Sequence, residues 1–243
     1  MNFFAYDYTG GEFIMFDPAH LAALGVILLL NLYLLRFRGR DEAARRRVRT
    51  AIAVILLLDE SAWHIWNISH GTWSVREHLP LHACSVLIWL AGFMLIRKNY
   101  RVYEFAYFMG IAGGIQALLT PDLGIYGFPH FRFFQTYISH GLLVTSAVFM
   151  TAVEGMRPTW KSVLRVFTVS NLYMAAVFLV NRAIGSNYLY VAYKPPGPTL
   201  LDALPAWPLY LLHMEAIGLL MILLLYLPFA LSDLRARKKL SAA

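Results

Sequence analysis

The stretch AIAVILLLDESAWHIWNISH, residues 51–70, is long and apolar enough to cross a bilayer, yet it carries Glu60, His64 and Asn67. About 20 residues of helix cover roughly 30 Å of hydrocarbon. Glu60, His64 and Asn67 are spaced four and three apart, so they share one helical face, which Gly71 continues. A polar face inside a membrane is costly and turns toward a bundle interior or a wet cavity.

Stretches of similar length recur along the chain, at about 18–36, 51–70, 80–97, 103–120, 131–153, 162–182 and 206–231. Composition agrees: of 243 residues, 59% are hydrophobic and 14% charged, with a mean hydropathy of +0.55. Soluble domains run at roughly 45–50% and about 25%. This excludes a water-soluble enzyme, a disordered chain and a coiled coil. A single cysteine excludes a disulfide scaffold and a multi-thiolate metal site. The apolar blocks lack the alternation of barrel strands. The expected fold is therefore all-α, a polytopic membrane bundle of seven transmembrane helices in a single domain over residues 1–243. Breakers fall between the spans: Gly39, Gly71 with Pro80, Pro121, Gly155 with Pro158, and the Lys194-Pro195-Pro196-Gly197-Pro198 run. Met1–Asp17 is aromatic and acidic rather than basic then apolar, so no cleavable signal peptide is expected.

Basic residues set the expected orientation. Arg36, Arg38, Arg40, Arg45, Arg46, Arg47 and Arg49 follow the first span; Arg97, Lys98 and Arg101 the third; Arg157, Lys161 and Arg165 the fifth; Arg235, Arg237, Lys238 and Lys239 the seventh. Of the 21 basic residues only Arg76, Arg132, Arg182 and Lys194 fall on the other side. The pattern puts the N-terminus outside and the C-terminus in the cytoplasm. In so apolar a chain it marks loops facing an anionic inner leaflet rather than a nucleic-acid surface. A multi-pass protein of the plasma (inner) membrane is expected, with membrane phospholipids as partners.

In that orientation His20, His64, His70, His78, His82, His130, His140 and His213 all lie in outer loops or outward halves of spans, which points to a polar chamber open outward. Arg132, Thr136 and His140 step by four along the fifth span, with Gln135 beside them. Asn171 and Arg182 align on the sixth, three turns apart. Tyr210 and His213 point inward from the seventh, near Glu215, and Gln116 and Thr120 close the fourth. Taken singly, each such residue is more often a packing contact than a catalyst. Trp63, Trp66, Trp73 and Trp207 read first as an interfacial belt.

Cys84 falls in Leu79-Pro80-Leu81-His82-Ala83-Cys84-Ser85, which opens the third span with Pro80 in its first turn. A thiol near a helix N-terminus feels its positive end, which favours the thiolate and hence a nucleophile. His82 and Cys84 are about 200° apart on a regular helix. The base therefore comes from another span, either His140 or His64. His140 lies roughly 16 Å past Pro129 and Cys84 about 6 Å past Pro80, so His140 is the deeper if both helices start level.

Leu79-Pro80-Leu81-His82 with Cys84, Ala117-Leu118-Leu119-Thr120-Pro121-Asp122, Pro129-His130-Phe131 through Ser139-His140-Gly141, Asn187-Tyr188-Leu189-Tyr190 and Trp207-Pro208-Leu209-Tyr210 together resemble the bacterial YwaF-like integral membrane family. That family is similar to the TMEM164 proteins, described as cysteine-dependent lipid acyltransferases, and more distantly to the AIG1/ADTRP lipid hydrolases, which use Thr and His. The resemblance spans about residues 50–215 and implies Cys84 as nucleophile and His140 as base. Ala83 and Ser85 stand where the family pattern leads one to expect a larger apolar residue and often an acid.

The leading expectation is a candidate cysteine-dependent lipid acyltransferase or hydrolase. Cys84 and His140 are its catalytic pair, with substrate-binding residues drawn from Glu60, His64, Asn67, His82, Arg132, Gln135, Asn171, Arg182, Tyr210 and His213. Arg132, Arg182 and Lys194 would hold a lipid phosphate, Arg through paired hydrogen bonds. No cofactor and no metal is called for. Two alternatives stand: a transporter or channel with an outward-open vestibule, using Glu60, His64 and Arg182, and a metal- or haem-binding protein using His64, His82, His140 and His213. No inverted repeat supports the first, and no His-x-x-x-His pair the second.

Overall fold

The computed structural model describes residues 3–195 and 200–241; Pro196, Gly197 and Pro198 of the breaker run and the side chains of Arg237 and Lys239 lie outside the described residues. Among the described residues there are seven helices and no strand: α1 Pro18–Leu34, α2 Glu42–Ser69, α3 Ala83–Arg97, α4 Tyr100–Leu119 with a π turn at Ala106–Gly110, α5 Phe131–Ala152, α6 Trp160–Ile184 and α7 Leu209–Ser241. A helix stands at each of the seven expected places. Five are long and apolar enough to cross a membrane: α1 with its extension to Phe37, α2, α4, α6 and α7 as far as Ala236. The other two differ for separate reasons: α3 is apolar but only 15 residues long, and α5 has 22 residues but carries many polar ones.

Two boundaries depart from the hydropathy pattern. α2 begins at Glu42, well before residue 51, because Asp41 caps it by accepting from the Ala44 N–H at 2.6 Å and Arg45 reaches back to Glu42 at 2.9 Å. Hydropathy marks where lipid begins, not where helix begins. α3 starts at Ala83 rather than near residue 80, so Pro80 and His82 precede the helix and Cys84 is in its opening turn.

The chain divides into two compact units, residues 1–73 with 83–156, and residues 74–82 with 157–243. In the first unit α5 packs against α1, α2, α3 and α4 and is the most deeply enclosed helix. His20, fully buried, ties α1 to α4: its Nδ1 accepts from Phe16 N–H at 2.8 Å and its Nε2 donates to the Leu118 carbonyl at 2.9 Å. At the end of this unit where α2 begins, Arg49 donates to the Leu95 carbonyl and pairs with Glu42 and the fully buried Glu154; Lys98 meets Glu154 at 2.6 Å.

A strap of N-terminal residues crosses the other end of this unit. Three consecutive carbonyls hold it: Phe4 accepts from Trp66 Nε1 at 2.9 Å, Ala5 from His130 Nε2 at 2.9 Å, and Tyr6 from the Tyr126 hydroxyl at 3.0 Å. His130 Nδ1 in turn accepts from the Arg132 N–H at 3.1 Å, capping α5. Both ring nitrogens are thus engaged in the neutral form. Burial holds this imidazole below its ordinary 6.5. The unfolded chain then binds the proton more tightly, so this contribution to stability is complete above the ordinary value and fades as pH falls below it. Hydrogen exchange of residues 3–13, corrected for intrinsic rate, is expected to be faster at pH 5.5 than at 7.5. A His130→Gln variant should lose that difference; equal protection at both pH values would contradict the role given to His130.

In the second unit α6 is opened by Thr159 and Ser162, which bond each other's backbone N–H reciprocally, and closed by Gly185 at φ 70°. α6 and α7 pack together, joined by Asn171 Nδ2 to Glu215 at 2.8 Å. The turn at Tyr188–Tyr190 is fastened to residues 74–82: the buried Tyr188 hydroxyl donates to the Val75 carbonyl at 2.8 Å and accepts from the Leu79 N–H at 2.8 Å.

Candidate active site

The first unit brings together Cys84, His140, Glu60, His64, Arg132 and Gln135 from three helices, and a fourth lets them approach. A methyl group placed on Gly113 of α4 would stand 3.6 Å from Cys84 Sγ. One on the adjacent Gly114 would stand 3.4 Å from the His140 carbonyl and collide with Val144 Cγ2 at 2.6 Å. Gly114 therefore lets α5 close onto α4, as small residues do between membrane helices, whereas a methyl at 113 would meet Cys84 in ordinary contact.

This fixes relative depth. His140 lies about 14 Å along α5 from Phe131, whereas Cys84 is about 1.5 Å along α3. Both abut the Gly113–Gly114 pair, so they stand at one level, and α3 begins part-way into the bundle. The expectation that His140 is deeper assumed helices starting level, and they do not. α3 is short because helix begins only at Ala83, after the turns of residues 74–82.

The two candidate bases hold their protons differently. His140 Nδ1 is 2.9 Å from the Thr136 carbonyl and 3.2 Å from Ser139 Oγ. A carbonyl only accepts, so Nδ1 carries the proton and Nε2 keeps its lone pair. His64 Nδ1 accepts from the Trp73 indole N–H at 3.1 Å, which puts its proton on Nε2, facing Glu60 Oε1 at 3.8 Å. Neutral His140 thus has a nitrogen ready to take a proton; neutral His64 presents an N–H.

Around this pair lies a charged set. Arg132 donates to Gln135 Oε1, Gln135 Nε2 donates to Asp59 Oδ2 at 3.3 Å, and the guanidinium lies 5.6 Å over the Trp63 ring. Glu60 is 3% exposed and its Oε1 accepts no hydrogen bond from a described residue. Arg132 interacts electrostatically with Asp59, Glu60 and His140, and Glu60 with Cys84. Asp59 is the residue that sequence reasoning missed. Its signal was present, since an aspartate in an apolar span needs a partner, but Gln135 is 76 positions away.

Other expected site residues have different employment. Asn67 donates to the Trp63 carbonyl at 2.9 Å and accepts from Thr72 Oγ1 at 3.2 Å, finishing α2 rather than lining a chamber. His82, Asn171, Arg182, Tyr210 and His213 belong to the second unit. There His82 Nδ1 accepts from the Leu189 N–H at 3.3 Å, and burial lowers its basicity. The buried Tyr210 donates its hydroxyl proton to the Tyr190 carbonyl. Arg182 and His213 are exposed, not inward-facing; Lys194 is held by the Leu204 carbonyl at 2.8 Å, and Gln116 and Thr120 of the first unit are also exposed. Three of the histidines, His20, His130 and His82, serve as ties to backbone. Among the described residues no three His, Cys, Asp or Glu side chains converge as metal ligands.

A helical membrane protein in which a cysteine sulfur and a histidine-bearing helical turn approach adjacent glycines is the class these features define. The chain belongs to the TMEM164 family, whose family model matches residues 15–226. It is also similar to an uncharacterized protein of Treponema pallidum, 29% identical over 227 residues that cover 90% of this chain and 91% of the other. No solved structure matches it.

Proposed function

We propose that this protein is a lipid acyltransferase of the plasma membrane that carries an acyl group on Cys84, with His140 as general base. Its seven helices span the membrane, N-terminus outside and C-terminus cytoplasmic. The observation that supports the chemistry most is the meeting of Cys84 and the His140 turn on Gly113–Gly114.

Cys84 Sγ attacks the ester carbonyl of a phospholipid while its proton passes to His140 Nε2. The tetrahedral intermediate collapses, the C–O bond breaks, and the leaving lysolipid alkoxide takes that proton. A thioester remains on Cys84. An acceptor hydroxyl then gives its proton to His140 and attacks the thioester, and the proton returns to the departing sulfur. With water as acceptor the same steps give hydrolysis. Arg132, positioned by Gln135 and stacked on Trp63, suits the phosphate of the bound lipid.

Incubation of the protein in nanodiscs with acyl-labelled phospholipid tests this reading. The expected result is an intact-mass increase of one acyl group, removed by neutral hydroxylamine as a thioester is. Turnover of the labelled lipid through a Cys84→Ala variant at the unmutated rate would overturn it. His140→Gln is expected to slow transfer by on the order of 10²- to 10⁴-fold. His82→Gln, at a residue bound to the Leu189 backbone, should change it far less.

A further inference from the structure

We propose that the outward face of α2 near its start binds one anionic glycerophospholipid of the surrounding bilayer, its phosphate held by Arg46 and Arg47 and its acyl chain laid along Val54 and Ile55. Because α2 begins at Glu42, its arginines are divided by helical geometry between two faces. Arg45 and Arg49 turn inward to Glu42 and Glu154. Arg46, Arg47 and Thr50 turn the other way and are exposed. Neither Arg46 nor Arg47 makes an ion pair or hydrogen bond with a described residue.

These residues edge a groove of about 1000 Å³ whose described lining includes Glu42, Arg46, Arg47, Thr50, Val54 and Ile55. Its upper end is basic and its lower end apolar, with Val54 47% and Ile55 49% exposed. The single carboxylate on this rim, Glu42, is already answered from the inner side by Arg45, Arg49 and Lys98. The groove is therefore net positive where a headgroup would sit. Two guanidinium groups and the Thr50 hydroxyl suit the oxygens of a phosphodiester, and a negative net charge on the lipid matches two arginines better than a zwitterion. From Arg46 to Ile55 the helix rises about 14 Å, close to the roughly 15 Å of hydrocarbon in one leaflet. A headgroup at the arginines thus places its chain on the apolar stretch. Basic pockets beside membrane helices hold anionic lipids in this way. The site shares no residue with the Cys84 cluster, so it stands or falls apart from the acyl chemistry.

Native mass spectrometry of the full chain, released from nanodiscs of mixed phosphatidylglycerol and phosphatidylcholine, tests the proposal. The unmutated protein is expected to retain one phosphatidylglycerol in preference to phosphatidylcholine. Arg46→Gln with Arg47→Gln should weaken that preference by roughly thirtyfold, taking each basic side chain at its usual membrane-surface strength. Arg36→Gln with Arg40→Gln removes two charges from the same stretch of chain and should leave the preference in place. Val54→Asn with Ile55→Asn, which keeps both arginines, should also lower retention. Equal loss in the two arginine pairs would mean diffuse attraction and overturn the proposal. So would unchanged retention in the Arg46/Arg47 pair, displacement of the lipid by inorganic phosphate alone, or full retention in the Val54/Ile55 pair.

Discussion

Acyl transfer by the Cys84→Ala protein is expected to fall to background, a loss of at least about 10³-fold, since the covalent route has no other thiol to use. Cys84 is half-buried and alanine is smaller than cysteine, so the variant should insert and fold like the unmutated protein. Labelling by a thiol-reactive lipid probe should vanish with the activity. Cys84→Ser separates two possibilities. If sulfur is the attacking atom, an oxygen with its far less acidic proton recovers little of the rate; if Cys84 only packs, serine at a similar volume recovers nearly all of it. Wild-type turnover in either variant removes the thiol from the chemistry.

The second large effect concerns stability. Glu154 has no exposed side-chain surface and neutralises Arg49, which is 3% exposed, with Lys98 and Arg45 alongside. Removing one member of a buried ion pair strands the other, at a cost of about 3–5 kcal/mol. Glu154→Ala should therefore lower the unfolding free energy by that amount in denaturant titration of the detergent-solubilised protein. Arg49→Met together with Glu154→Leu should recover most of the loss, because no charge is then left buried. A Glu154→Ala protein as stable as the parent would show that water reaches this cluster and that it does not fasten α2 to the segment after α5.

The two results draw on parts of the molecule that were unequally legible in the sequence. Apolar runs pointed to a helix at each of the seven places, because hydropathy is a property of a segment read by itself. The face shared by Glu60 and His64 was equally plain, since helical spacing is a local property. What failed to show were distances along the chain. Arg49 and Glu154 are 105 positions apart, and in sequence Arg49 is one of several loop arginines. Asp59 gave no sign of Gln135. The depth of Cys84 depended on where α3 starts, and hydropathy runs through residues 80–82 without marking the start at Ala83. Asn67 misled for the opposite reason: its spacing matched the polar face, but a helix terminus offered it nearer partners.

The strap over α5 is gripped through its main chain rather than its side chains. Carbonyls at three successive positions meet donors fixed on Trp66, His130 and Tyr126. Such a grip reads register, not identity. Exchanges of one amino acid for another at Phe4, Ala5 or Tyr6 leave every clasp available, whereas inserting or deleting a single residue between them shifts the later oxygens out of line with their donors. In this segment, length rather than chemical character is what the fold holds fixed.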